Sequence, residues 1–385
     1  MLTSSGKWTV SAALGLFALG WLLAYPFFLA LGVSFLIAVV VGLFFVLWRP
    51  TLSARQAVSP PVVGVGELAS SIVTIDNTGP RKSSPVVASN QVAGSGVALA
   101  LPAIAAGASH TASVTLPTSR RGRYDVGPLN IERVDPLGLF RATTHRGSVA
   151  TLVVHPEIHA MTPLPTGHRR ELEGSAAEQP HEGGISFHSL RDYELGDDLR
   201  LIHWRSVAKT GALMVRKNII TSEPRLMIVL DTWEGSYDDA DRGDGSFEDA
   251  VRVAASMVQA GCNSRYPVMF RATSGLAVDA KASGEGRTDI MRLLARIAPS
   301  ADDAGLNGVV RFAELGEGVS LGAVTGQPPA DRTVGISRAR GRFDMITVVQ
   351  VGENHDRPPM NIPGALVLNG STSLDVAERW KARFG

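Results

Sequence analysis

From Trp8 to Trp48 the chain runs for 41 residues without one Asp, Glu, Lys, Arg or His. A stretch so apolar cannot be the surface of a water-exposed domain, and each helical crossing of a bilayer core takes about 20 such residues. Two crossings therefore fit. Tyr25-Pro26 lies near the middle, where a proline ends one helix and opens the next. The expectation for residues 1–50 is a transmembrane helical hairpin, Trp8 to Ala24 and Phe27 to Trp48. Trp8, Trp21, Tyr25 and Trp48 lie near the expected ends, where interfacial aromatic side chains belong. A cleaved signal peptide has an apolar core of only about 7–15 residues. Lys7 precedes the run and Arg49 and Arg55 follow it, so the positive-inside tendency predicts soluble domains on the cytoplasmic side of the cell membrane.

The single cysteine, Cys262, excludes an internal disulfide framework. A net charge of +1 supplies no general drive toward nucleic acid. About 335 residues follow the hairpin, room for two or three cores. Residues 51–160 read as all-β: Leu68 to Ile75, Val97 to Leu101, Ala112 to Leu116, Asn130 to Val134 and Ala150 to Val154 are short β-prone runs. Turn residues such as Asp76-Asn77-Thr78-Gly79-Pro80 separate them. The expectation is a β-sandwich of immunoglobulin-like type. Residues 161–222 read as a linker, loose from Met161 to Gly184, followed by a dense polar block.

From 223 to 385 the pattern becomes α/β. Arg225 to Asp231 is a continuous apolar strand ending in an acid, and Phe247, Ala250, Val251, Ala254, Met257 and Val258 share one helical face. Pro267–Ala272 and Met345–Val351 read as strands, Thr288–Ile297 and Ser373–Phe384 as helices. Such alternation implies a doubly wound sheet.

Two stretches identify the chain further. One is Arg121-Gly122-Arg123-Tyr124-Asp125-Val126-Gly127-Pro128 with Asp135-Pro136-Leu137-Gly138-Leu139-Phe140-Arg141. The other comprises Gly184 to Phe187, then Leu190, Arg191, Tyr193, Gly196, Asp197, Arg200, Ile202 and Trp204, then Ala208-Lys209 and Leu213 to Arg216. Together they resemble the DUF58 family, membrane-associated proteins without a well-established activity, whose C-terminal half resembles a von Willebrand factor A domain. The resemblance implies a partner, a MoxR-type AAA+ ATPase, with the lipid bilayer as the second.

In the polar block, Arg191, Tyr193, Gly196, Asp197, Arg200, Trp204 and Lys209 are the candidate interdomain or partner-binding residues. Asp197 can pair with Arg191 or Arg200 through a bidentate fork, and Ile202 and Trp204 alternate as a strand would present them, with His203 opposite. The set contains no evident nucleophile–base pair. The von Willebrand A resemblance raises a metal site, whose fullest form reads Asp-x-Ser-x-Ser. Here Asp231 is followed by Trp233 and Gly235 in place of both serines, so no metal and no cofactor are expected. The acidic loop Asp238 to Gly245 misses the EF-hand spacing, and Gly316-x-Gly318-x-x-x-Gly322 misses the dinucleotide fingerprint. The reading is a non-enzymatic, membrane-tethered adaptor. The alternatives are a cell-envelope hydrolase centred on Asp197, His203 and Asp231, and a purely structural envelope component.

Overall fold

A computed structural model describes residues 2–47, 52–83, 85–92, 95–166, 185–194, 202–220, 224–237, 245–316, 318–352 and 360–385. Gly196, Asp197, Arg200 and the acidic loop from Asp238 lie outside them. Two compact units emerge: residues 1–157 with 292–297, and residues 158–291 with 298–385.

The first unit opens with helices α1 (Ser4–Leu22) and α2 (Pro26–Leu47). The Thr3 hydroxyl accepts the Gly6 amide and caps α1, and Pro26 occupies the first position of α2, where its missing N–H costs nothing. The two run antiparallel with small residues at the seam. A Cβ on Gly20 would stand 2.8 Å from the Leu29 amide, and one on Gly32 would stand 3.2 Å from the Ala13 carbonyl. Helices in apolar surroundings associate through such close backbone approach. One helix among the described residues is long and apolar enough to cross a membrane, Pro26–Phe45, and only 11% of that apolar stretch is buried inside the protein.

Ten strands follow: β1 (Leu52–Ser59), β2 (Val62–Gly64), β3 (Ser70–Asn77), β4 (Val86–Val92), β5 (Ser95–Leu101), β6 (Ser109–Thr115), β7 (Gly122–Val126), β8 (Leu129–Val134), β9 (Arg141–Arg146) and β10 (Ala150–His155). They form sheets β1-β3-β6, β5-β4-β8-β9 and β2-β10-β7. Leu52, Val73 and Ile75 of the first sheet share a core with Ala88, Leu101, Leu129 and Ile131 of the second, which makes a β-sandwich. Val63, Val126, Leu152 and Val154 form a smaller core with the third. The predicted turn at Asn77 is an Asx turn, the side chain accepting the Gly79 amide at 3.0 Å. Arg121 donates to the carbonyls of Leu294 and Ile297, at 2.6 and 2.9 Å, within the same unit.

The second unit holds the antiparallel pair β11 (Ile185–Asp192) and β12 (Met214–Ile220), joined through α3 (Trp204–Thr210). It continues as β13 (Arg225–Leu230), α4 (Ser246–Asn263), β14 (Val268–Ala272), β15 (Ala277–Ala280), α5 (Arg287–Arg296, which from Arg292 on belongs to the first unit), β16 (Val319–Thr325), α6 (Val334–Ala339), β17 (Met345–Val351), β18 (Leu366–Gly370) and α7 (Ser373–Phe384). A 3₁₀ helix, Gly305–Leu315, precedes β16. The sheet order is β15-β14-β13-β16-β17-β18, parallel except for the edge strand β15.

Met227 and Val229 of β13 pack toward Leu306, Val309, Ile336 and Ala339. On the opposite face Gly261 of α4 comes so close to β13 that a Cβ there would lie 2.9 Å from Leu226. Helices thus cover both faces, and the sheet is doubly wound. The strand order turns at β13 and β16, the place where such sheets carry their ligands.

Residues 161–166 belong to this core and not to a loose linker. Leu164 is buried, and the fully buried Trp380 donates its indole N–H to the Thr162 carbonyl at 3.0 Å. Trp380→Ala removes this bond and leaves a large cavity, and should cost about 3–5 kcal/mol. Urea unfolding of the detergent-solubilised chain measures it; a loss under about 1 kcal/mol, as at a surface position, would show that this packing does not hold the unit together.

Candidate functional site

The C-terminal ends of the central strands gather a polar cluster. β13 runs straight into Asp231-Thr232, β14 into Thr273, and β16 ends on Thr325. Asp231 is fully buried, and its carboxylate is fully engaged: Oδ1 accepts the Trp233 amide at 3.0 Å, while Oδ2 accepts the hydroxyls of Ser236 at 2.6 Å and Thr325 at 2.7 Å. Tyr237 donates its hydroxyl to the Asp231 carbonyl at 2.6 Å.

Beside it stands a second acid, Asp303. Its Oδ2 accepts the hydroxyls of Thr232 and Thr273, and its Oδ1 the Gly305 amide at 3.0 Å. Since each threonine spends its single hydroxyl hydrogen on Asp303, their oxygens, 3.1 Å apart, merely touch. The Thr232 amide donates to Thr273 Oγ1 and the Ser274 amide to Thr232 Oγ1, which locks both rotamers. A Cβ on Gly305 would come within 3.5 Å of Asp231 Oδ1, so the two acids approach through a glycine. Gly305 also has φ +59°, a conformation cheap only for glycine.

Burial pushes the Asp231 carboxyl up, against the bonds from Ser236, Thr325 and the Trp233 amide; the neighbouring Asp303 adds to the rise. Burial likewise pushes the Tyr237 phenol up. Among the described residues no group of three or more His, Cys, Asp and Glu could hold a metal.

Trp233 and Gly235, the two positions that replace the serines, have structural work of their own. The Trp233 ring lies under the Arg332 guanidinium at 4.2 Å, and a Cβ on Gly235 would collide with that ring. Sequence spacing missed Ser236, Thr325, Thr232, Thr273 and Asp303. The readable signal was that β13, β14 and β16 each end on or beside a hydroxyl residue. An open cleft of about 280 Å³ lies elsewhere on this unit, lined by Asn307, Asp331, Arg338 and three apolar or glycine positions, none of them from the cluster.

In the polar block, Arg191 pairs with Val215 across β11 and β12, and the Tyr193 amide donates to the Leu213 carbonyl. Ile202 forms an isolated bridge to Val215, both buried. The expected strand alternation ends there. Trp204 begins α3 instead, because the His203 carbonyl takes the amides of Ser206 and Val207 and the His203 ring pairs with the Ser206 hydroxyl at 2.7 Å. Gly211 closes the helix in a left-handed conformation. Trp204 is left 66% exposed, with Lys209 exposed on the same short helix.

Residues 189–342 match the family model of DUF58, a protein of unknown function. The match supports the DUF58 family. It runs from the second half of β11 through α3, β12 and the Asp231 cluster to just past α6, so the candidate residues of both sites fall inside it. No curated protein matches the chain. Among solved structures, a CARDB domain of Pyrococcus furiosus in complex with di-metal ions is 15% identical, with 27% of this chain and 93% of that chain covered and a TM-score of 0.22. The C-terminal domain of wzt is 11% identical over 33% of this chain and 81% of that one, TM-score 0.21. Alkylpurine DNA glycosylase AlkC of Pseudomonas fluorescens, bound to DNA containing an abasic site analog, is 18% identical over 27% and 32%, TM-score 0.18. At such TM-scores these likenesses carry no weight in assigning fold or ligand.

The raised Asp231 carboxyl has a consequence for stability. The folded state holds its proton more tightly than the unfolded chain, so this group's contribution is fully present below the ordinary carboxylate value and is lost as pH rises through the folded value. Asp231→Asn abolishes that titration. Subtracting its urea midpoints from those of the parent across pH 3 to 8 should give a difference that falls with rising pH; parallel curves would contradict the buried-acid assignment.

Proposed function

We propose that this chain is a membrane-tethered interaction protein without catalytic activity of its own. In this reading α1 and α2 both cross the cell membrane, Lys7, Arg49 and Arg55 hold their outer ends on the cytoplasmic side, and the second unit is a von Willebrand A-like domain. Its partner is a MoxR-type AAA+ ATPase or that ATPase's client, as the DUF58 resemblance implies. The sheet order β15-β14-β13-β16-β17-β18, with Asp231 ending the first strand of the domain, supports the von Willebrand A-like assignment.

One observation carries the non-enzymatic reading. At the sheet's ligand-binding edge, both acids are buried and every carboxylate oxygen already accepts an internal donor. A general base must reach substrate, and the buried Asp231 and Asp303 each already take three internal donors. The hydrolase alternative required Asp197, His203 and Asp231 to converge; Asp197 lies outside the described residues, and His203 is not among the partners of Asp231. Recognition falls instead to exposed groups of the DUF58 block, with Trp204 and Lys209 on α3 as the contact pair. Exposed tryptophans are the side chains on which binding energy concentrates.

Full-length protein recovered from native membranes, with and without ATP, tests this. An AAA+ ATPase should be identified by mass spectrometry among the co-purifying proteins. Trp204→Ala and Lys209→Glu should each reduce that recovery, Trp204→Ala by about tenfold or more, without changing the unfolding midpoint. Recovery of no AAA+ ATPase in either nucleotide state would count against the proposal.

A further inference from the structure

The turn between β8 and β9, Asp135 to Phe140, is held by both helices of the N-terminal pair. The Thr3 amide donates to the Leu139 carbonyl at 2.9 Å and the Thr3 hydroxyl to the Gly138 carbonyl at 2.6 Å. Leu2 bridges to Phe140, and Gly6 sits so close to the Leu139 carbonyl that no Cβ would fit. On the other helix, a Cβ at Gly42 would stand 3.1 Å from the Phe140 ring and 3.2 Å from Asp135 Oδ2. Gly42 precedes the end of the apolar stretch, Phe45, by three residues, roughly 4.5 Å of helix rise. The turn therefore meets α2 within that stretch, near its C-terminal end.

This acidic turn spends its carboxylate and most of its backbone groups internally. Asp135 is buried; Oδ1 accepts the Phe140 amide at 2.6 Å and Oδ2 the Leu137 amide at 3.0 Å. The Gly138 amide closes on the Asp135 carbonyl at 2.9 Å, and Thr3 takes the carbonyls of Gly138 and Leu139. What the turn presents outward is Leu137, 56% exposed. Irregular backbone is tolerated beside hydrocarbon only when its N–H and C=O groups are satisfied by protein. Lys7, one turn along α1 from Thr3, and exposed Arg141, next to Phe140 and paired with Glu132 at 3.7 Å, are the basic residues beside it.

We propose that the turn Asp135–Phe140 is immersed in the membrane interface, Leu137 at the acyl boundary, with Lys7 and Arg141 at the level of anionic headgroups. It is a second membrane contact of the first unit, beyond the helices, and it fixes how the β-sandwich stands on the bilayer. This inference rests on the reading of α2 as a membrane span.

The test uses the full chain carrying Cys262→Ser, reconstituted in vesicles of phosphatidylethanolamine and phosphatidylglycerol. A nitroxide is placed at Leu137→Cys, at Val40→Cys on the exposed face of α2, or at Leu68→Cys, which is 84% exposed. Leu68 is next to the end of β3 that pairs with Ser59, and β1 separates that end from α2 by roughly 23 Å of strand rise. Power saturation then compares collision with oxygen, which partitions into lipid, and with a nickel chelate, which stays in water. Positions 40 and 137 should favour oxygen, and nickel access at 137 should be several-fold below that at 68. If 40 favours oxygen while 137 matches 68, the turn is aqueous and the inference is overturned with the span intact. If 40 itself is open to nickel, the span reading fails and takes this inference with it.

Discussion

Everything in the first unit answers to one constraint, the apolar surface of α2. Leu36, Ile37, Val40, Val41, Phe44 and Leu47 are all exposed along one continuous helix. Monomeric proteins in water do not leave a contiguous patch of this kind uncovered, and the chain itself buries little of it. The features around α2 follow from that surface. Gly20 and Gly32 let α1 come close where no hydrophobic drive separates helix from lipid. The Asp135 turn spends its carboxylate and most of its backbone groups internally where it touches Gly42. A polar group left open at that point would carry the full cost of desolvation.

The second unit solves a related problem at a different place. A doubly wound sheet brings the C-terminal ends of its central strands together, and here those ends deliver two buried acids. Four hydroxyls and two backbone amides satisfy them, from Ser236, Thr325, Thr232, Thr273, Trp233 and Gly305. Buried polar groups paired in this way specify one arrangement of the strand ends. Among the described residues, Trp204 on α3 stands exposed.

Much of this was legible in the sequence, and the rest was hidden for identifiable reasons. Charge depletion located the helical pair, because exposed and helix-facing residues are apolar alike. Long apolar runs located β13 and β17, and amphipathic period located α4, α5 and α7. The central strand β16 was invisible. Its Gly322 reads as a loop residue, yet a Cβ there would lie 2.6 Å from Met257, so the glycine serves close packing against α4. Ser236 and Asp303 were missed because their pairing with Asp231 and Thr232 comes from the meeting of strand ends, which no local spacing encodes. Trp204 was placed on a strand because apolar alternation with Ile202 outweighed the turn that His203 and Ser206 build. The residues of the 161–166 segment looked like linker for want of periodicity, although Leu164 is buried against Gly322 of β16 and Thr162 bonds Trp380 of α7.

The central claim is that the exposed apolar face of α2 is covered by lipid. Membranes from cells expressing the chain, washed in alkaline carbonate, separate integral from peripheral association. The account predicts that the full-length protein stays in the pellet after the wash and leaves it only with detergent, while a chain starting at Leu52 remains in the supernatant. Release of the full-length protein by carbonate alone would contradict it.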